Sequence, residues 1–109
     1  MRKAEIFIHN ISAGILIQDD AGYHFKYNEN YLSNPKAMAI SLTLPLQKNE
    51  YSSNVLFPFF DGLIPEGWLL NVAEKNWKLN TRDRMGLLLA CCKDCIGALS
   101  VLPINVETV

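Results

Sequence analysis

The feature that most constrains this chain is an alternation of apolar and polar residues running from Ala4 to Tyr27. Ala4, Ile6 and Ile8 face one way and Glu5, Phe7 and His9 the other, a period of two that indicates a strand from about Lys3 to His9. Asn10-Ile11-Ser12 reads as a turn, and Ala13 to Gln18 as a second strand with Gly14 at a bulge. Asp19-Asp20-Ala21-Gly22 is a hairpin signal, because Gly and Asp tolerate positive φ. Tyr23 to Tyr27 forms the third strand, with Tyr23, Phe25 and Tyr27 on one face. Together these segments make an antiparallel meander. Such a sheet must bury its apolar face against another layer.

The rest of the chain supplies that layer. Asn28 to Pro35 is turn-rich, with a single helical turn around Glu29-Asn30-Tyr31-Leu32. Ala39 to Leu44 alternates again and reads as a fourth strand, stopped by Pro45, which cannot donate to a ladder. Gln47 to Asn54 is a polar loop carrying Tyr51. From Phe57 to Trp68, two prolines and two glycines exclude a long continuous helix. The expectation is a short helix, a tight loop at Pro65-Glu66-Gly67 and a helix from about Gly67 to Trp77. Thr81 is the expected N-cap of a further helix through Cys91, with Asp83 in its first turn opposing the macrodipole. Met85, Leu88 and Leu89 form its expected buried stripe. Ala98 to Leu102 reads as a last strand, closed by Pro103. The pattern describes an α+β fold. A small, mostly antiparallel sheet from the N-terminal meander carries about three helices on one side and a C-terminal strand. With 109 residues, half of them apolar, the expectation is one domain over residues 1–109.

Several function classes are disfavoured. The net charge is −1 and the charges are scattered without a basic stripe, so no direct hold on nucleic acid is expected. No apolar run approaches the roughly 18–20 residues of a membrane span. Ile6-Phe7-Ile8 is too short for a secretory signal, which points to the cytoplasm. No glycine-rich phosphate loop, kinase signature, nucleophile elbow or metalloprotease helix is present. No catalytic, cofactor-binding or metal-binding residues are therefore assigned.

The cysteines and histidines are the remaining candidates for chemistry. Cys92-Lys93-Asp94-Cys95, with Cys91 beside it, could start a thiol or metal site. Zinc wants four ligands, commonly as two separated pairs, and only one pair exists. The cysteines read instead as small apolar filler in a reducing compartment. His24, between Tyr23 and Phe25, reads as an outward-facing polar residue rather than a general base, and His9 likewise.

The most informative stretch is Phe57-Pro58-Phe59-Phe60-Asp61-Gly62-Leu63-Ile64-Pro65-Glu66-Gly67-Trp68. Most of its aromatics read as core beneath a turn. Trp68 is different, because a tight turn at Pro65-Glu66-Gly67 lifts it toward the surface. Large aromatics on rigid turns are typical interface anchors. Physics alone leaves Trp68 open between core and interface.

Residues 58–67, Pro-Phe-Phe-Asp-Gly-Leu-Ile-Pro-Glu-Gly, resemble the P-F-F-x-N-L-L-P-E-G signature of the N-terminal subdomain of HipA-type Ser/Thr kinases. Phe25-Lys26-Tyr27 with Tyr31-Leu32 resembles that family's F-x-Y…Y-L. Ser41-Leu42-Thr43-Leu44-Pro45-Leu46 resembles its S-x-S-L-P-L. Leu87-Leu88-Leu89-Ala90 followed by Asp94-Cys95-Ile96-Gly97-Ala98-Leu99 resembles its L-L…D-x-x-G-A-L ending. The chain departs from the pattern in three ways. Gly62 stands in place of Asn, Trp68 in place of a smaller or polar residue, and the sequence stops at Val109 with no ATP site.

A free-standing subdomain of this kind is similar to the small subunit of three-gene HipBST toxin–antitoxin systems. The resemblance implies an antitoxin that binds and inhibits a HipT-like Ser/Thr kinase toxin, in a complex that also holds a helix-turn-helix, HipB-like DNA-binding protein. It implies partner-binding residues at Phe59, Asp61, Ile64, Pro65, Glu66, Gly67, Trp68 and Leu69, with Trp68 reaching the kinase cleft. The other reading is an N-terminal structural subdomain of a HipA-type kinase with no inhibitory role in trans.

Overall fold

A computed structural model describes residues 2–64, 83–91 and 99–104. Five strands form one antiparallel sheet: β1 (Arg2–Ile8), β2 (Ile11–Asp19), β3 (Gly22–Tyr27), β4 (Tyr51–Ser53) and β5 (Leu99–Ile104). Their spatial order is β4-β3-β2-β1-β5, so the C-terminal strand pairs with the N-terminal one. Three helices are described: α1 (Glu29–Leu32), α2 (Pro58–Asp61) and α3 (Arg84–Cys91). Tyr31 of α1, Phe60 of α2 and Met85, Leu87 and Leu88 of α3 share one buried cluster with Ala4, Ile6, Leu16, Phe25, Tyr27 and Val101 of the sheet. The helices thus cover one face, the architecture that the alternation and the late helical stretches predict.

The meander follows its pattern closely. Ala4 and Ile6 are fully buried, as are Phe25 and Tyr27 two strands away, and Tyr23 packs at the cluster's edge. Ile6 pairs with Gly14 and Phe7 with Ser12, which leaves Ala13 as the extra residue of a bulge. A Cβ at Gly14 would lie 2.5 Å from the Lys26 carbonyl oxygen and 2.9 Å from the Phe25 ring, so only glycine fits there. The hairpin Asp19–Gly22 forms as expected, with the Ala21 amide donating to Asp19 Oδ1 at 2.8 Å and Gly22 at φ +128°.

Four expectations are corrected. The β1–β2 turn is His9-Asn10, both in the left-handed region, while Ile11 and Ser12 already belong to β2. Asn tolerates that region better than most side chains, and two consecutive positive φ values match the twist of a tight hairpin. The fourth strand is Tyr51–Ser53 and not Ala39–Leu44. The backbone of 38–45 bonds to tyrosine hydroxyls instead of a ladder. Tyr31 Oη donates to the Met38 carbonyl at 2.8 Å and accepts the Met38 amide at 3.1 Å. Tyr27 Oη accepts the Ile40 amide at 3.0 Å and donates to the Leu44 carbonyl, and Tyr51 Oη donates to the Pro45 carbonyl at 2.6 Å. Buried backbone groups need partners, and phenols supply them here as well as a strand would.

The third correction concerns the cap of α3. Asp83 precedes the helix, its Oδ1 accepting the Gly86 amide at 3.2 Å and its carbonyl the Leu87 amide at 3.0 Å. That is N-cap geometry, two residues later than Thr81, which lies outside the described residues. Asp83 is also gripped by Arg2, whose two terminal nitrogens donate to Oδ1 and Oδ2 at 2.5 and 2.9 Å while Nε donates to Gln18 Oε1 at 2.7 Å. The paired hydrogen bonds hold the Asp83 carboxyl below the usual carboxylate range and push the Arg2 guanidinium up. Fourth, the buried stripe of α3 is Met85, Leu87 and Leu88, with Leu89 at its partly exposed margin. The expected helix over 67–77 lies outside the described residues. Among the described residues no helix is long and apolar enough to cross a membrane.

Candidate partner-binding site

The signature segment begins with Pro58 at the first turn of α2, where a missing amide hydrogen costs nothing and the fixed φ suits a helix. The Asp61 amide donates to Phe57 O and the Gly62 amide to Pro58 O, both at 2.9 Å. The segment then continues through tight turns, Leu63 N to Phe60 O at 3.1 Å and Ile64 N to Asp61 O at 3.2 Å. Phe60 is fully buried and makes edge or tilted contacts with Phe25, Phe57 and Phe59, at centroid distances of 5.6, 6.3 and 5.2 Å. Gly62 has φ −69°, an ordinary helical value. The backbone therefore does not demand glycine where the family carries Asn.

The residues expected to meet a partner separate into four groups. Phe59 is half-buried and forms one wall of an open groove of about 410 Å³, together with Ile8, Met38, Ile40, Leu63 and Leu99. Asp61 is ion-paired, its Oδ1 accepting Arg84 Nε at 2.6 Å, which ties α2 to α3. Ile64 is 5% exposed and packs in the core, supporting the segment from beneath. Pro65, Glu66, Gly67, Trp68 and Leu69 lie outside the described residues.

The groove draws on stretches that sequence reading kept apart. Ile8 ends β1, Met38 and Ile40 come from the tyrosine-held loop, and Leu99 opens β5. Phe59 and Leu63 were visible as part of an apolar segment, but nothing local ties them to Met38 or Leu99. The groove is predominantly apolar, with His9 as its titratable member. Its walls suit apolar burial, not proton transfer.

His24 has partners that the sequence did not reveal. Its Nε2 lies 3.0 Å from Asp19 Oδ1, and its Nδ1 lies 2.9 Å from Ser52 Oγ and 3.2 Å from Glu50 Oε2. The ring stitches the short β4 to the β2–β3 hairpin, and its hydrogen bond holds the Asp19 carboxyl below its ordinary range. Among the described residues no three His, Cys, Asp or Glu side chains gather as metal ligands do. Cys92 and Cys95 lie outside the described residues.

The five-stranded antiparallel sheet with helices over one face defines a small α+β domain, and an apolar groove opens beside it. The chain belongs to the HipA N-terminal domain family, whose pattern it matches over residues 4–102. It is 31% identical over 101 residues to an uncharacterized protein of Haemophilus influenzae, covering 93% of this chain and 92% of that protein. It is 29% identical over 85 residues to a putative kinase, Y4mE, of Sinorhizobium fredii, where the match spans 78% of this chain and 20% of that protein. Among solved structures it is similar to the N-terminal domain of HipA toxin, with a TM-score of 0.78, 26% identity, and coverage of 98% of this chain and 96% of that one.

Proposed function

We propose that this chain is a HipS-like antitoxin subunit that docks on a HipT-like Ser/Thr kinase toxin and holds it inactive. The observation that carries the reading is the apolar groove walled by Phe59 and Leu63, built from the segment that most resembles the family signature. The docking site on the kinase is the place that this subdomain occupies within a HipA chain. Burial of the groove walls supplies affinity, and the Pro65-Glu66-Gly67-Trp68-Leu69 stretch extends the contact toward the catalytic cleft. Inhibition requires that the chain bind the inactive arrangement of the kinase more tightly than the active one. In this reading the chain is cytoplasmic and carries out no turnover itself. A HipB-like helix-turn-helix protein completes the complex and makes the DNA contacts.

The Haemophilus relative supports action in trans, since the match covers nearly all of a protein of similar length. The putative kinase from Sinorhizobium favours the other reading, a subdomain working within a longer kinase chain, because there the matched stretch is one fifth of the protein. Co-expression of this chain with a cognate HipT-like kinase separates the two. The antitoxin reading expects co-purification, restored growth and suppressed autophosphorylation, with Trp68→Ala weakening rescue while folding is kept. A chain that neither binds the kinase nor restores growth defeats the antitoxin reading.

A further inference from the structure

Leu42 is fully exposed, the most exposed large apolar side chain among the described residues. Single exposed leucines are common and need no explanation by themselves. The turn that carries this one is unusual in how completely it is held. Leu44 N donates to Ser41 O at 3.1 Å, Thr43 N donates to Ser41 Oγ at 3.2 Å, and the Ser41 and Thr43 hydroxyls are hydrogen-bonded at 2.9 Å. Outside the turn, Tyr31 fixes Met38, Tyr27 fixes Ile40 and Leu44, and Tyr51 fixes Pro45. Leu44 itself is 3% exposed and roots the turn in the core. Leu42 is thus an aliphatic knob on a prearranged mount, and inserting it into a pocket would order little further backbone.

The surrounding chemistry narrows the occupant. Residues 37–47 contain no charged side chain, while Met38, Leu42 and Leu46 are exposed by 53%, 100% and 38%. Depletion of charge marks the desolvated centre of protein interfaces, whereas phosphate-bearing partners demand cations. The same loop is continuous with the Phe59 groove, since Met38 and Ile40 line it and Leu42 follows two residues later. We infer that Leu42 is a second anchor for the kinase, seated in an aliphatic pocket of that protein beside the surface that meets Phe59. The inference rests on the docking reading above and adds a specific contact to it.

The test uses the whole chain and a cognate HipT-like kinase in titration calorimetry, with Leu42→Asp and Leu42→Met. Leu42→Asp is expected to weaken binding by roughly 10- to 30-fold, the range of a well-seated anchor, with circular dichroism and melting unchanged. Leu42→Met, which keeps an apolar side chain of similar volume, is expected to bind nearly as well as the unaltered chain. Undiminished binding by Leu42→Asp overturns the role of Leu42 and leaves the docking reading standing. If the unaltered chain does not bind the kinase at all, the docking reading falls and the anchor with it.

Discussion

Tyr27 and Tyr31 stack with ring centroids 6.1 Å apart and planes 8° from parallel, and their hydroxyls hold different points of the same loop. Tyr27 comes from the last residue of β3 and Tyr31 from α1, so the pair converts a strand end and a helical turn into a clamp on residues 38–44. Burial pushes the Tyr27 hydroxyl up from its ordinary range, keeping it a donor to Leu44 at pH values where exposed phenols ionise.

Tyr27→Phe is therefore expected to cost about 1–3 kcal/mol, because the Ile40 amide and the Leu44 carbonyl lose their partner while the ring packing survives. Urea denaturation followed by circular dichroism reads the loss. Hydrogen exchange at the Ile40 amide should accelerate more than at the β1–β2 ladder. A stability equal to that of the unaltered chain would remove the clamp from the account.

Phe59 and Phe60 are adjacent but divide their duties, Phe60 fully buried and Phe59 on the groove wall. Phe60→Ala should destabilise the fold by about 3–5 kcal/mol, as for a buried aromatic that leaves a cavity. Phe59→Ala should cost far less in thermal melting yet weaken binding to the kinase by tenfold or more, a contact energy of about 1.4 kcal/mol or more. The reverse order in melting temperature would contradict the assignment.

The Arg2–Asp83 clamp sets an acid limit. The Asp83 carboxyl is held below its unfolded value, so its contribution is present above an unfolded pKa of about 4 and fades as pH falls through the lower folded value. Unfolding free energy should consequently decline below about pH 4, and less steeply in Asp83→Asn, which retains a capping oxygen but cannot titrate. Both side chains are about one-third exposed, so the difference is expected to be small and to shrink in high salt. Parallel pH curves for the two proteins would show that the clamp carries no linkage.

Gly14→Ala tests the bulge. The added methyl would meet the Lys26 carbonyl and the Phe25 ring, both of the neighbouring strand. A loss of about 1–3 kcal/mol is expected, accompanied by shifted amide resonances along β3. Gly62→Ala is the milder comparison: φ there is ordinary, and its new methyl would press on Pro58 O at 3.2 Å, tight but well short of the 2.5 Å clash at Gly14.

The meander was legible because each strand buries one face, which writes a period of two directly into Ala4, Ile6, Phe25 and Tyr27. The same rule misread Ala39–Leu44. There the alternation arises from a turn that sends Leu42 outward and Leu44 inward, and its backbone partners are tyrosines distant in sequence. β4 was hidden for the opposite reason: Tyr51-Ser52-Ser53 is short, polar and at a sheet edge, with no pattern to see. Phe59 and Asp61 could be singled out from a motif. The groove could not, since Ile8, Met38, Phe59 and Leu99 meet only through the tertiary fold.

The pairing of β5 with β1 has an order-of-events consequence. Lys3 lies opposite Ile104, and Leu99, the first residue of that late strand, walls the groove beside Phe59. A chain still lacking β5 would have the meander but an unfinished groove. Contacts this distant in sequence form late and slowly. The groove is therefore whole only once β5 has closed on β1, and not by degrees as the meander forms.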